Sequence, residues 1–296
     1  MFGSLFALLT ACSFAMSSIF TRRAVLKVSD ASLGTLITIP LAVPFFFLFL
    51  AVTGQLRSII SFSWQGYVWL SLAGIIHFVI GRSFSYKCVQ LVGANIAAIL
   101  RRVNILVTVI LGIYLLNEPL SWKIAIGVLL VISGITLAGF NSQKAKNTGG
   151  RISKISAKAF FYGFGNGVAW GLGPIFIKLG LKGSGSPIAG AFITFIAATA
   201  FLSLSLVHKG RRTSITQITG KAAGLFLISG LLSWAANLFR FVALSLAPAS
   251  IVAPLASTVP VFLLVFSFLL NRNLEIFNLP IIIGAVTVVV GSVLLV

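Results

Sequence analysis

Acidic residues and cysteines are scarce in this sequence. Of its 296 residues, only three are Asp or Glu and only two are Cys, and charged residues together make up 8% of the chain. This scarcity excludes an ordinary hydrated surface, because soluble domains carry about 25% charged residues. Cys12 and Cys88 show no metal-ligand spacing, and we interpret them as small apolar helix residues. We therefore expect no metal and no cofactor.

Long apolar runs take up most of the chain. Hydrophobic residues make up 58% of it, and its mean hydropathy is +1.11. A transmembrane helix needs about 20 apolar residues to cross roughly 30 Å of hydrocarbon. Windows of that length predict ten spans, near 2–21, 32–53, 66–86, 93–115, 122–140, 159–181, 187–207, 222–244, 249–270 and 277–296. The runs are too long and too evenly apolar for the strands of a membrane barrel. The sequence therefore predicts an all-α integral membrane protein that crosses the bilayer many times, and we expect it in the plasma membrane.

The formal net charge of +19 does not indicate a nucleic-acid-binding protein. Such proteins gather Lys and Arg on one solvated face. Here most basic residues lie at the ends of apolar runs, as they do in the loops of membrane proteins. The expected partners are therefore membrane lipid and a small-molecule solute, with no nucleic acid, and the protein is expected to be a monomer or a homodimer.

A basic polar stretch divides the chain into two halves that share a pattern. A shift of 157 residues brings Glu118 onto Glu275 and Gly127 onto Gly284. The pattern predicts three segments, namely a first five-helix repeat at 1–140, a basic polar linker at 141–158 and a second five-helix repeat at 159–296. Because five is an odd number, the second half would enter the membrane upside down relative to the first. Inverted repeats of this kind are typical of secondary transporters, whose solute site lies between the halves.

Two stretches at corresponding places of the halves carry a family resemblance. They read GANIAA at 93–98 and APASIVAP at 247–254, and each is followed by an apolar helix, a glutamate and a glycine nine residues after that glutamate. In this arrangement the chain resembles the EamA type of the drug/metabolite transporter superfamily over essentially its whole length. The resemblance implies ten helices in two inverted repeats, alternating access, and a central cavity lined mainly by the third, fourth, eighth and ninth helices. Members carry amino acids, nucleotide-linked sugars, other metabolites or drugs.

Charged residues inside the apolar runs are the candidates for solute contact. An arginine near the bilayer centre costs about 2.5–3.5 kcal/mol on insertion scales, so such residues usually face a cavity or a bundle interior. Arg82 lies in the third span and Arg240 in the eighth, its repeat partner, and no carboxylate lies within a span to neutralise them. An anionic group on the solute would supply the missing partner, because arginine holds carboxylate or phosphate in a bidentate fork.

The predicted substrate-binding set extends this idea to neighbouring polar and aromatic side chains. Its members are Arg82, Arg240, His77, Tyr86, Asn237, Trp234, Arg101 and Trp170. Two alternatives stay open at this point. Arg101 and the adjacent Arg102 are also compatible with contacts to lipid phosphate, and the aromatic residues are also compatible with ordinary packing between helices.

Two glutamates and two prolines form a second candidate group, with structural or gating roles. Glu118 and Glu275 follow the fourth and ninth spans, and each is compatible either with gating or with fixing a turn at the end of a helix. Pro254 and Pro260 interrupt the ninth span. They are compatible with hinges that free backbone carbonyls to line a cavity and equally with inert bends.

The function predicted from these features is that of a secondary transporter. Its expected cargo is a small carboxylate- or phosphate-bearing metabolite, such as an amino acid, and export is the expected activity. One alternative is a translocator of lipid or lipid-linked sugar, whose phosphate the arginines would meet. An intramembrane enzyme is disfavoured, because the sequence has only two histidines and neither a His-Glu-x-x-His nor a Gly-x-Ser-x-Gly motif.

Overall fold

The structure is a computed structural model of the chain, and every regular element among the residues that it describes is helical. The described residues are 2–104, 107, 111, 122, 126–127, 129–130, 133–134, 156–182, 186–207, 218–246, 255–256, 258–275, 277 and 279–294. The helices are α1 (Phe2–Val25), α2 (Ala31–Val52), α3 (Trp64–Val92), α4 (Ala94–Leu100), α5 (Ala157–Leu181), α6 (Pro187–Leu204), α7 (Gly220–Leu246), α8 (Val259–Leu270) and α9 (Leu279–Leu294).

The length and composition of these helices agree with a membrane protein. Within the described residues, five helices are long and apolar enough to cross a bilayer, namely α1, α2, α3, α6 and the Gly220–Arg240 part of α7. The predicted all-helical, multi-pass membrane architecture is confirmed to this extent. The count of ten spans stays a prediction, because the linker at 141–158 and most of the spans near 93–115 and 122–140 lie outside the described residues.

Two of the spanning helices depart from regular α geometry. The second begins with a 3-10 turn over Ala31–Gly34 and is interrupted at 39–41, beside Pro40. Proline has no N–H to donate to the helix ladder, which accounts for the break. The third contains a π-helical segment over Gly74–Gly81. Such segments are rare and often lie at functional sites, and this one carries His77 and ends beside Arg82.

The two halves of the chain pack directly on each other. Along α1, the small residues Ala7, Ala11 and Ala15 recur every four positions and are fully buried. A row of small residues lets helix backbones approach closely. In a bilayer this matters because lipid tails are as apolar as the side chains, so apolar burial alone does not drive helices together. Near the end of this row α1 bonds to α7, because the Ser17 hydroxyl donates to the carbonyl of Ser229 at 2.8 Å. The close pairing of α1 with α7 forms one wall of the site described next.

Candidate functional site

A cavity of about 1150 Å³ lies between α1, α3, α5, α6 and α7 and reaches the first residues of α4 and α8. Its charged lining residues are all cationic, and they are Arg82, Arg101, Arg102, Lys182 and Arg240. No Asp or Glu belongs to the lining among the residues that the structure describes. The cavity is therefore a positively charged chamber within a largely apolar bundle.

Two of the three carboxylates in the sequence have cationic partners away from this chamber. Asp30 lies 3.8 Å from Lys87, measured from Oδ1 to Nζ, and Glu275 pairs with Arg22. The third, Glu118, lies outside the described residues. Neither described carboxylate is therefore available to balance the charge of the cavity arginines.

Arg82 is buried against the cavity wall with part of its guanidinium unused. Only 5% of the residue is exposed. Its Nη2 donates to the Ser233 hydroxyl on α7 at 3.0 Å, and its Cζ lies 5.4 Å from the centre of the Phe78 ring. Its Nη1 is buried and has no hydrogen-bond partner within the described part of the chain. Because a buried donor without a partner is costly, this group is suited to an acceptor on a bound solute.

A stack of aromatic and cationic groups forms the adjoining wall. The rings of His77 and Trp170 lie 5.0 Å apart with an interplanar angle of 12°, and the Cζ of Arg101 lies 4.8 Å from the centre of the Trp170 ring. A guanidinium at that distance from an indole gains a cation–π attraction. The arrangement gives the cavity a flat polar wall that reaches from α3 to α5.

Two glycines make room for this stack. A Cβ placed on Gly81 would lie 2.4 Å from Cδ1 of Trp170, and a Cβ placed on Gly173 would lie 2.2 Å from Nδ1 of His77. Each ring therefore occupies the space above a glycine of the other ring's helix. The contact is reciprocal, so α3 and α5 must keep both glycines to hold the rings parallel.

The face of α7 toward the cavity carries three polar residues. Ser233, Asn237 and Arg240 have the i, i+4, i+7 spacing of one helix face, and all three line the cavity. The Asn237 amide donates to the Ser233 carbonyl at 2.8 Å. Arg240 is exposed, and no hydrogen bond involves its guanidinium within the described residues.

The remaining predicted substrate-binding residues occupy different places. Tyr86 lines the cavity, with its hydroxyl donating to Thr38 Oγ1 at 3.1 Å and its ring stacked on Phe226. Trp234 is not among the lining residues. Its ring packs on Phe45, with the centroids 4.9 Å apart, because Phe45 and Phe46 of α2 lie on that side of α7.

Glu275 joins the connection between α8 and α9 to the first half of the chain. Its Oε1 accepts from the Ala94 N–H at 2.7 Å and its Oε2 from the Asn95 N–H at 3.1 Å. Nε of Arg22 lies 3.3 Å from Oε1. Burial raises the pKa of this carboxyl, while the two N–H donors and Arg22 act against that rise.

Gly93 is required at this junction for two reasons. Its φ is +86°, which side chains of L residues rarely adopt, and a Cβ there would lie 2.6 Å from Oε2 of Glu275. The glycine that opens the GANIAA stretch thus lets a carboxylate from the other half reach the first N–H groups of α4. Of the other predicted gating residues, Pro260 is buried in the first turn of α8, and Pro254 and Glu118 lie outside the described residues.

Two residues that contribute to this geometry were not predicted. Ser233 holds Arg82, and its position four residues before Asn237 is a periodic signal that indicates the same helix face. Arg22 follows the first predicted span, and its Nη1 donates to the Val89 carbonyl at 2.6 Å while its Nε pairs with Glu275. Nothing in the local sequence around Arg22 indicates a partner so distant along the chain.

Comparisons with known proteins agree with this architecture. The chain is similar to a solved crystal structure, and the match covers 99% of this chain and 95% of the other. The TM-score is 0.53 and the sequence identity is 13%. At that identity the likeness shows a shared fold. No curated protein matches the sequence. The model of the EamA-like transporter family matches residues 1–140 and 157–296. The chain therefore belongs to the EamA-like transporter family.

Proposed function

We propose that this protein carries a small carboxylate- or phosphate-bearing metabolite, such as an amino acid, across the bilayer by alternating access. The observation that carries the proposal is the cavity lined by four arginines, with no carboxylate among its described lining residues. Guanidinium groups at membrane depth are costly unless a cavity or a counter-charge receives them. An anionic group on the solute would provide that counter-charge whenever the cavity is filled.

Arg82 is the first anchor of this proposed site. Its Nη2 is held by Ser233 and its Nη1 is buried without a partner in the described residues, so the guanidinium is fixed in direction and both N–H groups of Nη1 are unused. A fixed fork suits the paired oxygens of a carboxylate or phosphate. Arg240, exposed to the same cavity, would add a second, more mobile contact to the anion.

The wall formed by His77 and Trp170 would select the rest of the solute. The stacked rings and Arg101 line this part of the cavity with aromatic and cationic groups, which favours a planar polar group on the solute. Small-molecule pockets usually measure about 300–1,000 Å³. A volume of about 1150 Å³ is therefore enough for a metabolite together with some water.

A difference between the two ends of the molecule supports alternating access: contacts close one end, and the cavity extends toward the other. One end, which we call the Glu275 end, contains the C-termini of α1, α3 and α8 and the N-termini of α4, α5 and α7. It is held together by the ion pair of Glu275 with Arg22 and by the hydrogen bond that Glu275 accepts from α4. The cavity lining instead extends to Leu181 and Lys182, at the opposite end of α5. Opening the Glu275 end would require separating Glu275 from Arg22 and from the first turn of α4.

A ligand-stabilisation screen on the purified protein tests the solute class. Each carboxylate or phosphate ester is compared with its neutral amide or alcohol, because a bound ligand at 100 times its Kd stabilises by about 2.7 kcal/mol. We expect only the anionic member of a pair to raise the midpoint of thermal denaturation. Arg82→Gln and Arg240→Gln should reduce that rise, and Arg57→Gln, at an exposed arginine of the 3-10 segment Leu56–Ser61, serves as the matched control. Equal stabilisation by the neutral and anionic members would reject the proposal.

A further inference from the structure

An open groove lies at the Glu275 end, outside the cavity. It has a volume of about 720 Å³ and lies where the end of α1 meets the beginning of α7. Its lining combines three cations with four large apolar residues and one glycine, namely Arg23, Lys27, Lys221, Leu26, Leu225, Ile228, Leu274 and Gly224. We call this surface the basic groove.

The polar rim of the basic groove carries an unbalanced positive charge. Lys27 and Lys221 are exposed, and no carboxylate lines the groove among the described residues. Asp30 and Glu275 have their own basic partners in Lys87 and Arg22. Arg23 is held in place, because its Nε donates to Asn271 Oδ1 at 2.6 Å and its Nη2 to the Leu270 carbonyl.

The floor of the basic groove is apolar, and no described side chain covers it. Leu26 is 46% exposed and Ile228 is 42% exposed. A Cβ placed on Gly224 would meet no atom of the described residues within 4 Å. The groove lies at the end of a transmembrane helix and suits both parts of a phospholipid. Its cations suit the charged headgroup, and its apolar floor suits an acyl chain.

We propose that the basic groove binds an anionic phospholipid. Its phosphate lies between Lys27 and Lys221, and an acyl chain runs along Leu26 and Ile228 beside Gly224. Basic pockets between transmembrane helices are known to receive anionic headgroups. The proposal does not depend on which solute occupies the cavity, because the two sites share no lining residue.

A lipid in this groove would act on the Glu275 end of the molecule. The groove joins α1, α7 and Leu274, and Leu274 accepts a hydrogen bond from Arg22 at 3.1 Å, next to the ion pair of Arg22 with Glu275. Under the alternating access proposed above, bridging these segments adds contacts that only the closed end offers. Bound lipid therefore favours the closed Glu275 end, since a ligand shifts an equilibrium toward the state that it binds better.

Native mass spectrometry of the full-length protein in detergent tests the site, with phosphatidylglycerol and phosphatidylcholine as probes. Each lysine near an anionic headgroup contributes roughly fivefold in binding, so Lys27→Gln/Lys221→Gln should weaken phosphatidylglycerol binding about 25-fold. Lys158→Gln removes an exposed lysine at the same end but outside the groove, and it should leave binding unchanged. Gly224→Phe keeps both lysines but fills the floor, and it should also displace the lipid.

Three results would overturn the proposal. They are equal retention of phosphatidylcholine and phosphatidylglycerol, equal phosphatidylglycerol binding by the lysine double variant and the Lys158→Gln control, and equal affinity for water-soluble glycerophosphoglycerol. The last result would indicate a site for a free phosphate ester instead of a lipid. None of these results bears on the proposed solute, because the readout is bound lipid and not transport.

Discussion

The imidazole of His77 lies parallel to the indole of Trp170, with ring centroids 5.0 Å apart, and each ring rests over a glycine of the other's helix. His77 belongs to the π-helical segment of α3, and Trp170 lies in the middle of α5. The pair thus links a distorted helix of the first half to a regular helix of the second, at the wall of the charged cavity.

Adding a methyl group at either glycine should destabilise the protein. In Gly81→Ala and Gly173→Ala the new Cβ would lie 2.4 Å and 2.2 Å from the partner ring, so the helices must separate or the rings must tilt. Overpacking of this kind typically costs about 1–3 kcal/mol. Thermal denaturation of the purified variants, followed by size-exclusion chromatography, measures the loss.

Gly220→Ala is the matched control for these two variants, because a Cβ at Gly220 would meet no atom of the described part of the chain within 4 Å. It should leave the midpoint of denaturation near that of the parent protein. If all three variants behaved alike, the close contact between α3 and α5 would be contradicted.

Ser233→Ala should weaken solute binding without removing any charge. The hydroxyl of Ser233 accepts the Nη2 donor of Arg82 at 3.0 Å, and a hydrogen bond to a charged group contributes about 1.5–3 kcal/mol. Without it the guanidinium is free to turn away from the anion, so we expect affinity to fall about tenfold or more. Titration of the solute against thermal stability measures the change.

Ser203→Ala on α6 provides the comparison, because the Ser203 hydroxyl donates to the Thr199 carbonyl of its own helix on an exposed surface. Binding should be unaffected there. Unchanged affinity in Ser233→Ala as well would mean that Arg82 needs no support from α7.

Arg22 and Glu275 should show strong coupling in a double-mutant cycle. Their side chains are 13% and 1% exposed, and removing one partner of a buried ion pair costs about 3–5 kcal/mol. We expect Arg22→Gln and Glu275→Gln each to lower thermal stability, and the double variant to lose less than the sum of the two single losses. Additive losses would show that the pair does not act as a unit.

Lys87→Gln is the reference for this cycle. Lys87 pairs with Asp30 at 3.8 Å, but the side chains are 33% and 46% exposed. Exposed ion pairs contribute about 0–1 kcal/mol because water and salt screen them. A loss as large as that of Glu275→Gln would indicate that burial is not what gives the Arg22–Glu275 pair its strength.

The helical membrane architecture could be predicted because it depends on local composition. Apolar runs of about 20 residues leave few alternatives to transmembrane helices. The predicted repeat pairs the spans that carry Arg82 and Arg240, with a shift of about 155 residues. Both line one cavity, and their role in solute binding stays a prediction.

Contacts that depend on how the two halves interlock could not be predicted. Trp234 and Trp170 look alike in sequence, each within an apolar run, yet one packs on Phe45 and the other lines the cavity. Glu275 was predicted to fix a turn or to gate, and the sequence does not indicate that it reaches the N–H groups of Ala94 and Asn95. Such partners are set by tertiary packing, which periodicity within one helix does not encode.

Counterflow in proteoliposomes tests the central claim most directly. Vesicles are loaded with a panel of amino acids, phosphate esters, neutral sugars and cationic drugs, and uptake of a labelled solute is followed for the parent protein, Arg82→Gln and the Arg57→Gln control. The arginine-lined cavity predicts exchange confined to carboxylate- or phosphate-bearing solutes, lost in Arg82→Gln and retained in Arg57→Gln. Exchange of cationic drugs alone, unaffected by Arg82→Gln, would contradict an anion site in the cavity.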